Sequence, residues 1–285
     1  MEYTNPGALV TTEWLATNKT ASNISIIDAS FYLPSVGRNP KEEFYKCHIP
    51  GAVFFDINKI ADQNTDLPHM LPNPDEFSKQ AGNLGLSNAD HIICYDTNGG
   101  PMAAMRAWWT FRVFGHDRVS VLSGGLPKWQ SEGHSISSSP QIISQQHFAT
   151  NLNLHLIKNV EQIIENTKTN KFQVVDARSR GRFEGIEPEP RTGLRQGHIP
   201  KSINLPFEKL LDLKNFMIMR SAKELSTIIA EAGIDPIKPL ISSCGSGVTA
   251  AVLVMALYLL GHTQAAIYDG SWTEWATKPD TPIAN

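Results

Sequence analysis

The sequence predicts an α/β protein made of two tandem copies of one domain, each a mainly parallel sheet flanked by helices. Short apolar runs alternate with helical patterns in both halves, which is typical of parallel sheets with helical crossovers. Similar segments also recur at a nearly constant offset: Asp28 and Asp176, for example, stand 148 positions apart in matching apolar runs. Because solenoid repeats span about 20–50 residues, an offset this long indicates a duplicated domain.

Further pairs of segments support the duplication. They are His48-Ile49-Pro50 with His198-Ile199-Pro200, the apolar run at 92–96 with that at 240–244, Gly115-His116 with Gly261-His262, and Gly124-Gly125 with Asp269-Gly270. The Ser-, Gln- and Asn-rich segment 133–153 contains Pro140 and is typical of a linker. We therefore predict one domain over 1–135, a linker over 136–155 and a second domain over 156–285.

In the second half the apolar patterns predict strands at 172–177, 202–205, 240–243 and 265–268, and helices at 160–167, 222–232 and 248–260. Ligands of such parallel sheets bind at the carboxyl ends of the strands. We therefore look for function just after these strands, and Cys244 is placed there.

Composition is that of a globular protein, with 285 residues, 41% hydrophobic and 19% charged, and a net charge of -3. No basic surface indicates nucleic acid or an anionic membrane. The apolar run at 248–260 falls short of the ~20 residues that span a bilayer. Three widely spaced cysteines argue against a disulfide framework, and no spacing predicts a zinc or other metal site. With no signal-peptide pattern at the start, we expect a cytoplasmic protein.

Cys244 is the candidate nucleophile. It lies in Ser243-Cys244-Gly245-Ser246-Gly247-Val248-Thr249, between a strand pattern and a helix pattern. Backbone N–H groups at such a turn favour an anion, here the thiolate and a bound substrate. The glycines allow the backbone of the loop, including Gly245, Gly247, Val248 and Thr249, to approach a ligand closely.

The other cysteines, Cys47 and Cys94, fit the usual interpretation of a free cysteine as a small buried hydrophobe. The first half has Asp96 at the position of Cys244, in the loop 96–101. A carboxylate can cap a helix but cannot carry a transferable sulfur atom. The first domain is therefore predicted to be a non-catalytic copy that forms one wall of a cleft.

Two other functions match the cysteine loop locally. Gly245-Ser246-Gly247-Val248-Thr249-Ala250 fits the dinucleotide pattern G-x-G-x-x-A, and the acidic Asp269 follows. Against it, too little chain remains after Asp269 to complete a nucleotide-binding half, and Cys244 would have no role. A Cys-x5-Arg phosphatase loop would need an arginine where Ala250 stands.

Arginines cluster after the first strand of the second half, interleaved with glutamates. They are Arg178, Arg180, Arg182, Arg191 and Arg195. From the residues alone, a carboxylate-binding group and a solvated mixed-charge loop are about equally supported. His48 and His198 recur at matching positions, which favours a structural role, while the Ser246 hydroxyl can reach either the thiol or a substrate.

The whole chain resembles the two-domain sulfurtransferases of the rhodanese superfamily. The duplicated segments, Asp269-Gly270-Ser271-Trp272 and the cysteine loop carry this resemblance. Within the superfamily, the loop 244–250, together with Gly181-Arg182-Phe183 and Glu187-Pro188-Glu189-Pro190-Arg191, is similar to the 3-mercaptopyruvate sulfurtransferases.

The resemblance implies that Cys244 forms a persulfide, that Arg182 and Arg191 hold the carboxylate and keto oxygen of 3-mercaptopyruvate, and that Ser246 with His48 handles protons. It implies a thiol, a thioredoxin-like dithiol or cyanide as acceptor, and no metal or organic cofactor. Two alternatives stay open. One is a thiosulfate:cyanide sulfurtransferase, which the neutral Gly245 and Ser246 disfavour, and the other is a sulfur-carrier module, which has no need of paired arginines.

Overall fold

The computed structural model describes residues 1–97, 102–139 and 141–285, so residues 98–101 of the first-domain loop and Pro140 lie outside the described chain. The strands in these ranges are β1 (Leu9–Val10), β2 (Ile24–Asp28), β3 (Ala52–Phe54), β4 (His91–Tyr95), β5 (Val119–Leu122), β6 (Ile157–Lys158), β7 (Gln173–Asp176), β8 (Ile203–Asn204), β9 (Leu211–Asp212), β10 (Ile218–Met219), β11 (Leu240–Ser243) and β12 (Ala266–Tyr268). The α-helices are α1 (Thr12–Asn18), α2 (Pro40–Lys46), α3 (Pro74–Asn83), α4 (Ala103–Val113), α5 (Gly125–Ser131), α6 (Val160–Thr169), α7 (Arg180–Phe183), α8 (Ala222–Glu231), α9 (Ala250–Leu259) and α10 (Ser271–Thr277).

The strands form two five-stranded sheets with the same order, β1-β5-β4-β2-β3 and β6-β12-β11-β7-β8. Every pairing in both sheets is parallel. The prediction of an α/β fold with two duplicated domains is therefore confirmed. A separate antiparallel pair, β9 with β10, belongs to the second half.

The two domains share a hydrophobic core. Helices α4 and α9 pack against each other, and every residue of α4 is buried. The ring of Trp108 on α4 meets Tyr258 on α9 edge to face, with 5.2 Å between centroids. A helix that is covered on one side by its own sheet and on the other by a partner helix is apolar all round, which explains why α9 shows no polar stripe.

Residues 146–151, which lie between α5 and β6, pack against the first domain. The Gln146 N–H donates to the Gly82 carbonyl and the Asn151 N–H to the Phe114 carbonyl. Phe148 is buried against Phe77 and Phe111. The segment has few apolar residues, which is why its sequence predicts a linker. In the structure it is extended along the first domain and is anchored there by one aromatic side chain.

Most predicted elements of the second half agree with the structure within two residues. At the site, α9 begins at Ala250 rather than at 248 because residues 245–249 form the loop after Cys244. Strands β6, β9 and β10 and helix α7 are too short for a periodic pattern to reveal them. In the described part of the chain, no helix is long and apolar enough to cross a membrane.

Candidate active site

Cys244 directly follows β11, the central strand of the second sheet, and is 2% exposed. Its N–H donates to the Ser271 Oγ atom over 3.2 Å, and its carbonyl accepts the Trp272 N–H over 2.9 Å. The Gly245 carbonyl accepts the Thr273 N–H over 2.9 Å. The start of α10 thus holds the carbonyl groups of the cysteine turn.

The backbone N–H groups of the loop after Cys244 are candidates for binding an anion. Among the described residues, the N–H groups of residues 245 to 249 have no hydrogen-bond acceptor. Gly247 has a left-handed φ of 77°, which lets the loop turn back over the thiol without a side-chain penalty. Val248 and Ser246 are buried, while Gly245 and Thr249 are partly exposed. Free N–H groups around a thiol can stabilise a thiolate or an anionic ligand.

A chain of ion pairs places Arg182 beside Cys244. Asp176, at the end of β7, binds the buried Arg178, which in turn binds Glu189 with 2.7 Å between Nη1 and Oε1. Glu189 also binds Arg182, with 2.6 Å between Oε2 and Nη2. The same Nη2 atom lies 3.0 Å from the place that a Cβ on Gly245 would take. Glu189, one of the glutamates that suggest a solvated loop, therefore holds Arg182 against Gly245, the residue after Cys244.

Arg191 also lies in the electrostatic field of the site. Burial lowers the pKa of its guanidinium, the Cys244 thiolate opposes this shift, and Arg182 adds to it. An arginine with an ordinary pKa above 12 remains charged despite such a shift. Within the described ranges, Arg191 has no ion-pair partner. It is a half-buried cation available to an anionic ligand.

The remaining arginines of the segment lie elsewhere. Arg195 donates to the Trp275 and Thr281 carbonyls and ties the segment to the end of the chain. Arg180 is 80% exposed and pairs with Glu184 on the surface. The cluster that the sequence shows as five arginines therefore separates into structural, surface and site members.

His69 of the first domain completes the site. Its Nδ1 atom lies 3.1 Å from the Ser246 Oγ atom, and its ring is 5% exposed against Phe31. Burial lowers the pKa of His69 to about 3, and the charges of Arg106 and Arg191 add to this effect. The imidazole is therefore neutral at physiological pH and can accept a hydrogen bond from the serine hydroxyl.

The expected pairing of Ser246 with His48 is wrong. The His48 Nδ1 atom contacts the Phe44 carbonyl at 2.6 Å, and the ring stacks on Phe44 with 4.2 Å between centroids. His198 does the same with Phe183 in the second domain, with 3.8 Å between centroids. The duplicated histidines are thus structural, as their recurrence indicates, and His69 contacts the serine instead.

The equivalent place in the first domain has different chemistry. The Asp96 carboxylate accepts the Ala104 N–H over 3.0 Å and caps α4. Cys94 is fully buried, and burial raises the pKa of its thiol and that of Cys47. Neither cysteine matches a reactive thiol.

The carboxylate that suggested a dinucleotide site is already engaged. Asp269 is buried, pairs with Arg106 across 2.7 Å and accepts the Leu71 N–H over 2.8 Å. It is therefore not available to a ribose hydroxyl. Among the residues that the structure describes, no three His, Cys, Asp or Glu side chains come together as metal ligands.

The model of the rhodanese-like domain matches residues 11–132 and again residues 159–278. The chain belongs to the rhodanese family. Similar curated proteins include the mouse 3-mercaptopyruvate sulfurtransferase, 43% identical over 94% of this chain and 91% of that protein, and the mouse thiosulfate sulfurtransferase, 41% identical over 97% and 95%. The crystal structure of SseA from Escherichia coli, described as a 3-mercaptopyruvate sulfotransferase, matches with a TM-score of 0.85 and 37% identity over 93% of this chain and 98% of that one.

These rhodanese relatives share sulfur transfer, and that is the activity class of this chain. Their names differ in the sulfur donor while their identities to the chain are nearly equal. Overall similarity to rhodanese proteins therefore does not choose between mercaptopyruvate and thiosulfate, and the choice depends on the residues around Cys244.

Sequence reasoning missed His69 in this rhodanese site. The residue lies between Pro68 and Pro72 in a loop without periodicity, and its contact with Ser246 bridges 177 positions. One signal was present: at the repeat offset of 148, His69 meets Met217, so it is a histidine that the second half lacks. Both residues have left-handed backbones, with φ of 63° and 53°, which is consistent with this alignment of the two halves.

Proposed function

We propose that the chain transfers the sulfur of 3-mercaptopyruvate through a persulfide on Cys244 to cyanide, a thiol or a thioredoxin-like dithiol. The carrying observation is the pair of arginines around the cysteine loop: Arg182 lies against Gly245, and Arg191, within the field of Cys244, forms no salt bridge within the described chain. A carboxylate that binds there places the rest of a small donor over Cys244. Arginine binds carboxylates with two parallel hydrogen bonds, which fixes orientation as well as affinity.

In the proposed first half-reaction, the Cys244 thiolate attacks the thiol sulfur of the donor. A sulfur–sulfur bond forms, the carbon–sulfur bond breaks, and its electron pair leaves with pyruvate as the enolate. The thiol proton of the donor ends on the methyl carbon of pyruvate, so the products are the Cys244 persulfide anion and pyruvate. The loop N–H groups stabilise the sulfur anion at both stages.

The arginines have separate tasks in this proposal. Arg191 binds the carboxylate of the donor because it is the cation without a partner. Arg182 is oriented by Glu189 and lies against Gly245, so it can donate to the keto oxygen, where negative charge develops in the enolate. Stabilisation of charge that grows in the transition state raises kcat rather than substrate affinity alone.

The Ser246 hydroxyl passes the thiol proton of the donor towards the enolate. His69 orients this hydroxyl by accepting its hydrogen bond and stays neutral. Its pKa of about 3 makes it a poor store for a proton at pH 7, because an imidazolium would be buried away from water and would also face Arg106 and Arg191. The proposal therefore assigns orientation, not proton storage, to the histidine.

In the second half-reaction the acceptor attacks the outer sulfur of the persulfide. Cyanide leaves as thiocyanate. A dithiol acceptor first takes up the sulfur as a persulfide on one of its two thiols. Its second thiol then attacks the inner sulfur of that persulfide, so that a disulfide forms and hydrosulfide leaves. The Cys244 thiolate is regenerated each time, and the cycle needs no metal or organic cofactor. The expected cytoplasmic location also stays a prediction.

Thiosulfate is the second candidate donor, because the two arginines offer two positive charges to a dianion. The neutral side chains of Gly245 and Ser246 weigh against it, since they add no cation next to the thiol. Two assays on one preparation separate the donors: pyruvate release from 3-mercaptopyruvate and thiocyanate release from thiosulfate, both with cyanide as acceptor. We expect the larger kcat/KM with mercaptopyruvate. A larger value with thiosulfate would overturn the donor assignment and leave the persulfide on Cys244 standing.

A further inference from the structure

Arg106 is the fourth residue of α4, far from Cys244 in the sequence, yet its guanidinium touches three segments of the site. Nη2 donates to the His69 carbonyl over 2.6 Å, and Nη1 donates to the Gly247 carbonyl over 3.2 Å. Nη2 also lies 2.7 Å from the Asp269 Oδ1 atom. The side chain is 3% exposed, so these contacts form in the interior, between the domains.

Asp269 extends this arrangement. Its second carboxylate oxygen accepts the Leu71 N–H, two residues after His69. Arg106 and Asp269 together therefore bind the backbone on both sides of Met70, and they connect it to the cysteine loop. We call Arg106, Asp269 and the three backbone groups they bind the Arg106 cluster.

The shape of the guanidinium matters here. Its five N–H donors point in fixed directions within one plane, whereas a lysine ammonium is a single rotatable point. The plane is held over the Trp109 ring, with 4.5 Å between Cζ and the ring centroid. The loop also approaches closely: a Cβ on Gly247 would lie 2.7 Å from Nη1. The Arg106 guanidinium is thus held on its face by the Trp109 ring and at its edge by the His69 and Gly247 carbonyls.

We infer that Arg106 is a positioning residue for sulfur transfer, which sets the place of His69 and Ser246 relative to the Cys244 loop. It acts on the reaction only through those groups. The kinetic test of this inference rests on the proposed function. The structural part does not: one guanidinium aligns the His69 segment of the first domain with the cysteine loop and Asp269 of the second. The non-catalytic domain thereby contributes to the geometry of the site as well as to its wall.

Charge and geometry can be separated by experiment. The groups that face His69 are the cations Arg106 and Arg191, the Ser246 hydroxyl and the Phe31 ring, and Asp269 lies behind Arg106. Arg106→Lys keeps the positive charge near His69 but cannot reproduce the planar set of donors. A purely electrostatic role predicts that lysine restores function, whereas a positioning role predicts that it does not.

The matched control is Arg112→Lys. Arg112 lies on the same helix, is 8% exposed and also has its guanidinium over aromatic rings, those of Trp108 and Tyr258. Among the residues that the structure describes, it contacts neither His69 nor Ser246 nor the cysteine loop, and its ion pair is with the exposed Asp117. The same substitution at this position therefore reports the general cost of losing a buried arginine.

With 3-mercaptopyruvate and cyanide, we expect Arg106→Lys to lower kcat by about tenfold or more and to change KM by less than about threefold, because misplaced groups impair the transition state more than ground-state binding. Arg112→Lys is expected to keep both constants near the wild-type values. A histidine-selective NMR titration of the full chain should show His69 neutral at pH 6 in Arg106→Lys as in wild type. A kcat within about twofold of wild type for Arg106→Lys, or an equal loss in Arg112→Lys, overturns the inference.

A second variant guards against a folding failure. Asp269→Asn keeps an acceptor for Leu71 but removes the charge that orients Arg106, so we expect a kcat loss that is not additive with that of Arg106→Lys. Melting temperatures show whether Arg106→Lys or Asp269→Asn fails to fold. If one does, the kcat of the other variant tests the inference. Additive losses contradict the shared cluster.

Alkylation of Cys244 by iodoacetamide at pH 7 needs no sulfur donor. We expect it to slow in Arg106→Lys and not in Arg112→Lys. If the wild type turns over neither donor, the proposed function fails, but the alkylation rate still tests the positioning role of Arg106. Equal alkylation rates in the wild type, Arg106→Lys and Arg112→Lys overturn that role.

Discussion

The Nδ1 atom of His69 lies 3.1 Å from the Oγ atom of Ser246, and the two residues belong to different domains. The cysteine loop of the second domain therefore meets a functional side chain from the first. The first domain, which has Asp96 at the position that matches Cys244, thus contributes His69 to the candidate site of its neighbour. This gives the duplication a functional reason beyond the formation of a cleft wall.

The serine and histidine are predicted to act as one unit. We expect Ser246→Ala and His69→Ala each to lower kcat on the order of 100-fold, because each removes the oriented hydroxyl. The double variant should lose little more than either single one, since one interaction is removed in all three. Steady-state kinetics with mercaptopyruvate measures this.

His91→Ala is the control for this pair. Like His69, His91 belongs to the first domain and contacts a serine hydroxyl, that of Ser120 at 2.8 Å, but it is half-buried and lies outside the site. We expect near-normal kcat for this variant. Independent, multiplying losses at Ser246 and His69 would show that the contact has no catalytic role.

Arg191 is predicted to bind the donor carboxylate. Loss of a charge-assisted hydrogen bond costs about 1.5–3 kcal/mol, so Arg191→Ala should lower kcat/KM for mercaptopyruvate by about 10- to 100-fold, mainly through KM. Arg180→Ala is the control, because Arg180 lies on the surface with its side chain 80% exposed. If both variants behave alike, Arg191 does not contact the donor.

Glu189 is predicted to matter for the site and for stability together. Glu189→Gln leaves Arg178 and Arg182 without their shared carboxylate, whose side chain is 3% exposed. Breaking a buried pair of this kind costs about 3–5 kcal/mol. Glu184→Gln, which removes an exposed pair with Arg180, should change stability by less than about 1 kcal/mol. Urea unfolding compares the two, and equal effects would contradict the role of Glu189 as the link between the arginines.

Asp28 and Asp176 occupy matching positions and should respond to neutralisation with opposite signs. Asp176 is paired with Arg178, whereas Ser30 stands at the corresponding place beside Asp28. Burial raises the pKa of Asp28 from 3.8 to about 6. A raised carboxyl pKa means that the folded state binds the proton more tightly, so this contribution to stability is present below pH 3.8 and is lost as pH rises through 6.

Asp28→Asn should therefore stabilise the protein at pH 7.5 by at most about 3 kcal/mol, and by clearly less at pH 4.5. Asp176→Asn should destabilise it at pH 7.5, because it leaves the Arg178 charge buried with one partner fewer. Unfolding free energies at the two pH values test this. A gain for Asp28→Asn that is the same at both would show that titration of Asp28 is not its source.

The sequence predicted those parts of the molecule that local patterns encode. The duplicated fold follows from a recurring order of apolar runs, and the place of Cys244 follows from the switch between a strand pattern and a helix pattern. The position of Arg182 was open because its glutamates fit a solvated loop equally well. Only the packed structure shows that Glu189 is buried and binds two arginines at once.

Contacts between the domains could not be predicted in the same way. His69 lies in a loop between prolines, and Arg106 lies on a helix that is buried on every side, so neither position has a periodicity that indicates its partner. Their meeting with Ser246, Gly247 and Asp269 depends on how α4 and α9 dock. A pairing decided by tertiary packing leaves no local spacing in the chain, so the sequence does not indicate that His69 rather than His48 meets Ser246.

Mass spectrometry of the Cys244 peptide tests the central claim most directly. The full chain is mixed with one equivalent of 3-mercaptopyruvate without acceptor, and pyruvate is measured on the same sample. We predict a mass gain of one sulfur atom on Cys244 and one pyruvate per chain. Both signals should be lost in Cys244→Ser, and treatment with cyanide should remove the added sulfur from the wild type. Pyruvate release without added sulfur on Cys244, or turnover that persists in Cys244→Ser, would contradict the account.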